Sequence, residues 1–152
     1  MKTALIQFDT IWEDKKVNLE YIQDKILDLP DAVDLVVLPE MFTTGFTMNP
    51  EMVAEEEQGD TLQTIQKWAT EKQIAITGSW VVKEENNYYN RLFFVFPDGS
   101  YKTSNKRHLF TLAGEEKVYK PGDKTLNVSY KGWNICMLVC YVLRFPVYSR
   151  IV

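Results

Sequence analysis

Asp34-Leu35-Val36-Val37-Leu38-Pro39-Glu40 is a short continuous apolar run, closed by a proline and followed by a carboxylate. Successive strand side chains point to opposite faces, so a strand that is apolar throughout is covered on both sides. Pro39 cannot donate to a strand ladder and ends the run. Glu40 therefore stands just beyond the carboxyl end of a buried strand. In open α/β sheets that position lines the ligand crevice.

Outward from this stretch the chain alternates. Upstream, Thr3 to Phe8 reads as a strand. Asp14 reads as the N-cap of a helix carrying Val17, Leu19, Ile22, Ile26 and Leu29, which Pro30 closes. Downstream, residues 40–59 form a polar loop in which Glu55, Glu56 and Glu57 read as a solvated face. Asp60 or Thr61 starts a second helix with Leu62, Ile65, Trp68 and Ala69 on its apolar side. Strands follow at 74–82, 91–96 and 101–104, with turns at 84–87 and at Pro97-Asp98-Gly99, where Pro fixes φ and Gly accepts positive φ. A long loop, 106–123, holds the only histidine, His108. Strands at 125–130 and 133–140, joined at Lys131-Gly132, end the pattern.

The order β-α-β-α followed by strands implies a layered α/β or α+β fold. No repeat or linker interrupts it, and 152 residues suit one domain, 1–152. The strand 133–140 is apolar at odd and even positions, so it is expected to be central, in one sheet with 34–38. No helix long enough to cover it follows. The sequence is therefore expected to be incomplete at its C-terminus, or completed by a partner.

Composition narrows the function. Lys and Arg number 17 against 21 Asp and Glu, a net charge of −4. No excess of cations is available to neutralise a phosphate backbone, so no nucleic acid is expected. No apolar run approaches the roughly 20 residues of a membrane helix. Cys136 and Cys140 on one flat strand would lie about 13 Å apart, beyond the roughly 7 Å that a disulfide spans. A reducing, cytoplasmic setting suits them.

Three strand ends could carry chemistry. Glu40 is either a general base or a solvated loop carboxylate. Lys106 is either an electrophilic cation or a surface charge. Cys140 is either a nucleophile or a buried small hydrophobe, and a cation such as Lys106 would favour its thiolate. His108 with the two cysteines makes a poor zinc set, because zinc commonly takes four ligands; no metal or cofactor is expected. Together, a thiol, a carboxylate and an ammonium at one sheet edge are what thiol-mediated acyl transfer requires.

Leu38-Pro-Glu-Met-Phe-Thr-Thr-Gly-Phe46, Asn105-Lys-Arg-His-Leu-Phe110 and Val139-Cys-Tyr-Val-Leu-Arg-Phe-Pro146 resemble, in order, the glutamate, lysine and cysteine motifs of the carbon–nitrogen hydrolase (nitrilase) superfamily. The nearest subgroup resembles omega-amidases, which hydrolyse amides of dicarboxylic 2-oxo acids. The resemblance implies an α-β-β-α layered sandwich, present here as its N-terminal part, and a homodimer. It makes Glu40 the base, Lys106 the oxyanion-stabilising cation and Cys140 the nucleophile. Glu115, rather than Glu116, would be the second glutamate that holds Lys106. The N–H of Tyr141 would be a second oxyanion donor. Phe42, Phe46, Tyr141 and Phe145 are either pocket walls or core, and Arg144 is either a local cation for a distal carboxylate or a structural residue. The family motif carries an acid two residues after the cysteine, where this chain has Val142. An inactive nitrilase-like domain serving in binding or assembly is the alternative reading.

Overall fold

A computed structural model describes residues 1–150. The 34–40 stretch contributes strand β2 (Leu35–Val37), flanked in parallel by β1 (Thr3–Leu5) and β3 (Ala75–Glu84). Between β1 and β2 runs α1 (Lys15–Leu27), and Asp14 caps it by accepting from the Val17 N–H at 3.1 Å. Between β2 and β3 run a short helix, α2 (Pro50–Val53), and α3 (Asp60–Lys72). Antiparallel strands β4 (Asn87–Val95) and β5 (Tyr101–Asn105) complete a sheet ordered β1-β2-β3-β4-β5. The β3–β4 hairpin is longer at both strands than the apolar pattern indicates. Its polar end residues 83–84 and 87–90 still pair across the ladder, and Glu85 at φ 54° lies in the turn between them.

Strand alternation divides two cores. Val36, Ile76, Phe93 and Val95 face Ile22 and Ile26 of α1 and Leu62, Ile65 and Trp68 of α3. Leu35, Ala75, Leu92 and Phe94 face the other way, toward Leu126, Val128 and Val139. This second core is roofed by a separate antiparallel hairpin, β6 (Leu126–Tyr130) and β7 (Trp133–Met137). The described residues therefore form α, β and β layers, three of the four expected.

The expectation of one sheet for 34–38 and 133–140 is wrong: the two segments lie in different sheets whose faces meet. Nor is β7 a buried central strand. It pairs only with β6, stops at Met137, and none of its residues is buried. The apolar character of 138–140 comes from Val139, which leaves the strand to fill the inter-sheet core.

The acid run is not a solvated face either, except at Glu56, which is exposed. Glu55 accepts from Lys15 Nζ at 3.0 Å and from the Thr61 N–H at 2.9 Å, at the start of α3. Glu57 pairs with Arg91, which also meets Glu84, and accepts from the Tyr101 hydroxyl. Arg91 is 5% exposed, and a buried guanidinium requires such anions.

Candidate active site

Glu40 is delivered by a turn fastened to β3. The Leu38 N–H donates to the Thr77 carbonyl at 2.8 Å, the Met41 N–H to Ser79 Oγ at 3.1 Å, and Met41 takes φ 48°. Lys106 follows β5, and its N–H donates to the Asn90 carbonyl at 2.9 Å. Its own carbonyl accepts from Gly122 at 2.9 Å. Glu115 lies in a 3-10 turn entered through Gly114 at φ 77°. Cys140 opens another 3-10 turn, 140–144, at φ 40°. A non-glycine residue in the left-handed region costs about 1–3 kcal/mol and persists only where surrounding structure fixes it.

The four side chains converge. Lys106 Nζ donates to Glu40 Oε1 and to Glu115 Oε2, each at 2.8 Å, and its side chain is 1% exposed. Glu115, fully buried, also accepts from the Phe110 N–H. Cys140 lines the same cavity as Glu40, close enough that the Glu40 carboxylate, Lys106 and the Tyr141 N–H all act on the titration of its thiol. Cys140 is exposed as a residue, yet partial desolvation of its thiol and, next, the neighbouring Glu40 carboxylate push its pKa up; Lys106 and the Tyr141 N–H oppose them. Lys106 acts in the expected direction, toward the thiolate, but desolvation and Glu40 outweigh it. The geometry suits a thiol that passes its proton to Glu40 as it attacks.

Other expected residues separate. Tyr141 and Arg144, with Phe110, Leu112 and Leu143, line an open depression of about 430 Å3 beside Cys140. A second cavity of about 330 Å3 lies between the sheets, walled by Pro39, Glu40, Ser79, Leu92, Val139 and Cys140. Phe42 belongs to neither: it is fully buried in the helix-side core, edge-on to Trp80. Phe145 stacks on His108 at 3.8 Å instead of lining the mouth. Phe46 lies under the Lys106 ammonium, 5.1 Å from Nζ to the ring centre. Val142 is buried, and its N–H donates to the Val139 carbonyl. The turn after Cys140 is thus held by backbone bonds and apolar packing where the motif has an acid. Cys136 is half-buried on β7.

Sequence reasoning passed over Asn90. It is fully buried on β4 and donates from Nδ2 to Glu40 Oε1 at 2.7 Å and to Glu115 Oε1 at 3.2 Å. Its only signal in the sequence is a neutral polar residue where β4 enters its buried half.

Known proteins resemble this chain in sequence and fold. Residues 2–152 match the carbon-nitrogen hydrolase family model. The omega-amidase YafV of Yersinia enterocolitica is 39% identical over 150 residues, covering 99% of this chain and 58% of that protein. The 2-oxoglutaramate amidase of Bacillus subtilis is 28% identical, again over 58% of its length. A CN-hydrolase superfamily protein from Xanthomonas campestris, with an arsenic adduct in its active site, superimposes with a TM-score of 0.93 at 40% identity, over 96% of this chain and 55% of that one. An amidase from Nesterenkonia superimposes at 0.85 and 24% identity, over 97% and 58%. The chain thus spans somewhat more than half the length of these relatives. On the family match over nearly its whole length, the chain belongs to the carbon–nitrogen hydrolase family.

Proposed function

We propose that the protein hydrolyses a small linear, acidic amide, such as the monoamide of a 2-oxo dicarboxylic acid, through a thioester on Cys140. The observation that carries this reading is Lys106 clamped at 2.8 Å between Glu40 and Glu115, with Glu40 and Cys140 lining one cavity. The names of the omega-amidase and 2-oxoglutaramate amidase relatives support the substrate class.

The chemistry runs in two halves. Cys140 Sγ attacks the amide carbonyl as Glu40 takes the thiol proton. Charge develops on the carbonyl oxygen. Lys106 uses two of its three N–H donors on carboxylates, leaving the third for that oxyanion beside the Tyr141 N–H. The C–N bond breaks, Glu40 returns the proton to nitrogen, and ammonia leaves. Water then attacks the thioester, Glu40 takes its proton, the C–S bond breaks, and the carboxylic acid and the thiol are restored. Glu115 holds the ammonium in place. Arg144, exposed at the mouth, is the cation available to a distal carboxylate.

The same reading makes the protein one hydrolase domain of a cytoplasmic homodimer. The family resemblance supports the dimer, and two unpaired cysteines suit a reducing setting. Ammonia release from a panel of ω-amides, simple amides, nitriles and carbamoyl compounds tests the function. Release from the acidic ω-amides, abolished by Cys140→Ala, is expected. No release from any of them by folded protein would favour the binding-domain reading.

A further inference from the structure

Asn90 contributes something the Glu40, Lys106 and Cys140 motifs do not describe. Its Nδ2 is the second donor to Glu40 Oε1, at 2.7 Å, beside Lys106 Nζ at 2.8 Å. The same nitrogen reaches Glu115 Oε1 at 3.2 Å, while Lys106 takes Glu115 Oε2. The two carboxylates are thus bridged twice, once by an ammonium and once by a neutral amide. Its Oδ1 is buried and has no hydrogen-bond partner among the described residues. Leaving a buried acceptor unpaired is costly. Turning the amide over would place that oxygen against two carboxylates, so the carboxylates dictate its orientation.

We infer that Asn90 is a positioning residue that fixes Glu40 for base catalysis by occupying Oε1 and leaving Oε2 to receive the Cys140 proton. This rests on the reading of Glu40 as the base. The residue type fits the task. A carboxylate at position 90 would add a third negative charge between Glu40 and Glu115. A hydroxyl has one proton for two carboxylates. A second cation would compete with Lys106. The amide supplies two donors without charge, and donors to a carboxylate favour its ionised form. Asn90 is also tied to Lys106 through the backbone, since its carbonyl accepts the Lys106 N–H at 2.9 Å. One residue thereby sets the spacing of base and cation.

The charged and titratable groups around Glu40 are Lys106 after β5, Glu115 in the following loop, Cys140 after β7, and Tyr119, whose hydroxyl feels the charges of Glu40, Glu115 and Glu13. None of them replaces the Asn90 donors. The test is the pH profile of Cys140 alkylation by iodoacetamide in purified protein carrying Cys136→Ser, with Asn90→Leu and Asn90→Asp compared against the parent. Alkylation needs no amide turnover, so its outcome is independent of whether the substrate class is right. The acid limb of the profile is expected to move to higher pH by about one unit in Asn90→Leu, a tenfold change in proton affinity at that site. It should move further in Asn90→Asp. A purely structural asparagine would lower the melting temperature and leave the limb in place. An unmoved limb in either folded variant would overturn the inference. Asn90→Asp, close in size, keeps the test open if Asn90→Leu does not fold.

Discussion

Lys106 and Glu115 form an ion pair at 2.8 Å in which neither side chain reaches solvent, at 1% and 0% exposure. Each is the other's main compensation for lost water. Breaking a buried pair by removing one partner costs about 3–5 kcal/mol, because a charge is left uncompensated. Glu115→Ala is therefore expected to lower the denaturant midpoint strongly, and with it the activity. Glu115→Gln keeps the shape and removes the charge, and should fall between. A melt showing Glu115→Ala as stable as the parent would remove Glu115 from its supporting role.

Gly122 sets the position of Lys106 from the other side. A Cβ at residue 122 would lie 2.2 Å from the Asn105 carbonyl oxygen and 2.8 Å from its carbonyl carbon. Both are backbone atoms and cannot rotate away. Gly122→Ala should shift residues 105–106, costing at least the roughly 1–3 kcal/mol of overpacking. Ammonia release should fall more than the melt alone predicts, because Lys106 moves with its strand end. Unchanged rate and stability would show that this contact relaxes freely.

The nearby Glu40 carboxylate raises the Cys140 thiol, whereas Lys106 lowers it. Glu40→Gln should therefore move the thiolate absorbance titration of a Cys136→Ser background to lower pH. Amide turnover should nonetheless fall by about 10²–10⁴, the usual contribution of a general base. A thiol that titrates lower yet works less well separates base catalysis from a standing thiolate. A titration that moves to higher pH would contradict the geometry.

Much of the site was legible because it sits at the ends of strongly patterned strands. The 34–38 run and its proline placed Glu40, and Asp14 capped α1 where the sequence put the cap. Glu115 was separable from Glu116 only through the family resemblance, by its spacing from Tyr119 and Gly122. What was not legible depends on partners distant in sequence. Phe42 looks like a pocket wall beside Glu40, but it is turned into the helix-side core against Gly78, where a Cβ would approach its ring to 2.8 Å. Glu55 and Glu57 look like solvent acids until α3 and Arg91 are folded against them. The run 133–140 reads as one strand because the hairpin and Val139 are both apolar, for different reasons. Asn90 gives no local sign of its work, since both its carboxylate partners come from other segments.

Tyr119 anchors the loop on the far side of the cluster. It is 1% exposed, and its hydroxyl donates to the Thr47 carbonyl at 2.8 Å. Tyr119→Phe leaves that buried carbonyl unpaired and should cost about 1–3 kcal/mol. Burial, then the charges of Glu115, Glu13 and Glu40, hold the hydroxyl well above the ordinary tyrosine range. A group raised in the folded state stabilises fully below its unfolded value and loses that contribution as pH rises past it. Stability of the parent should thus decline above about pH 10, the unfolded value for tyrosine. Tyr119→Phe should decline less steeply there, as urea melts across alkaline pH would show.

The central claim is that Cys140 carries the acyl group. The direct measurement is intact and peptide mass spectrometry of protein acid-quenched during turnover of a 2-oxo dicarboxylic acid ω-amide. We expect one acyl adduct, on the peptide containing Cys140, that disappears on neutralisation in water and never forms in Cys140→Ala. Ammonia release without that adduct and undiminished in Cys140→Ala, or an adduct on Cys136 instead, would contradict the account.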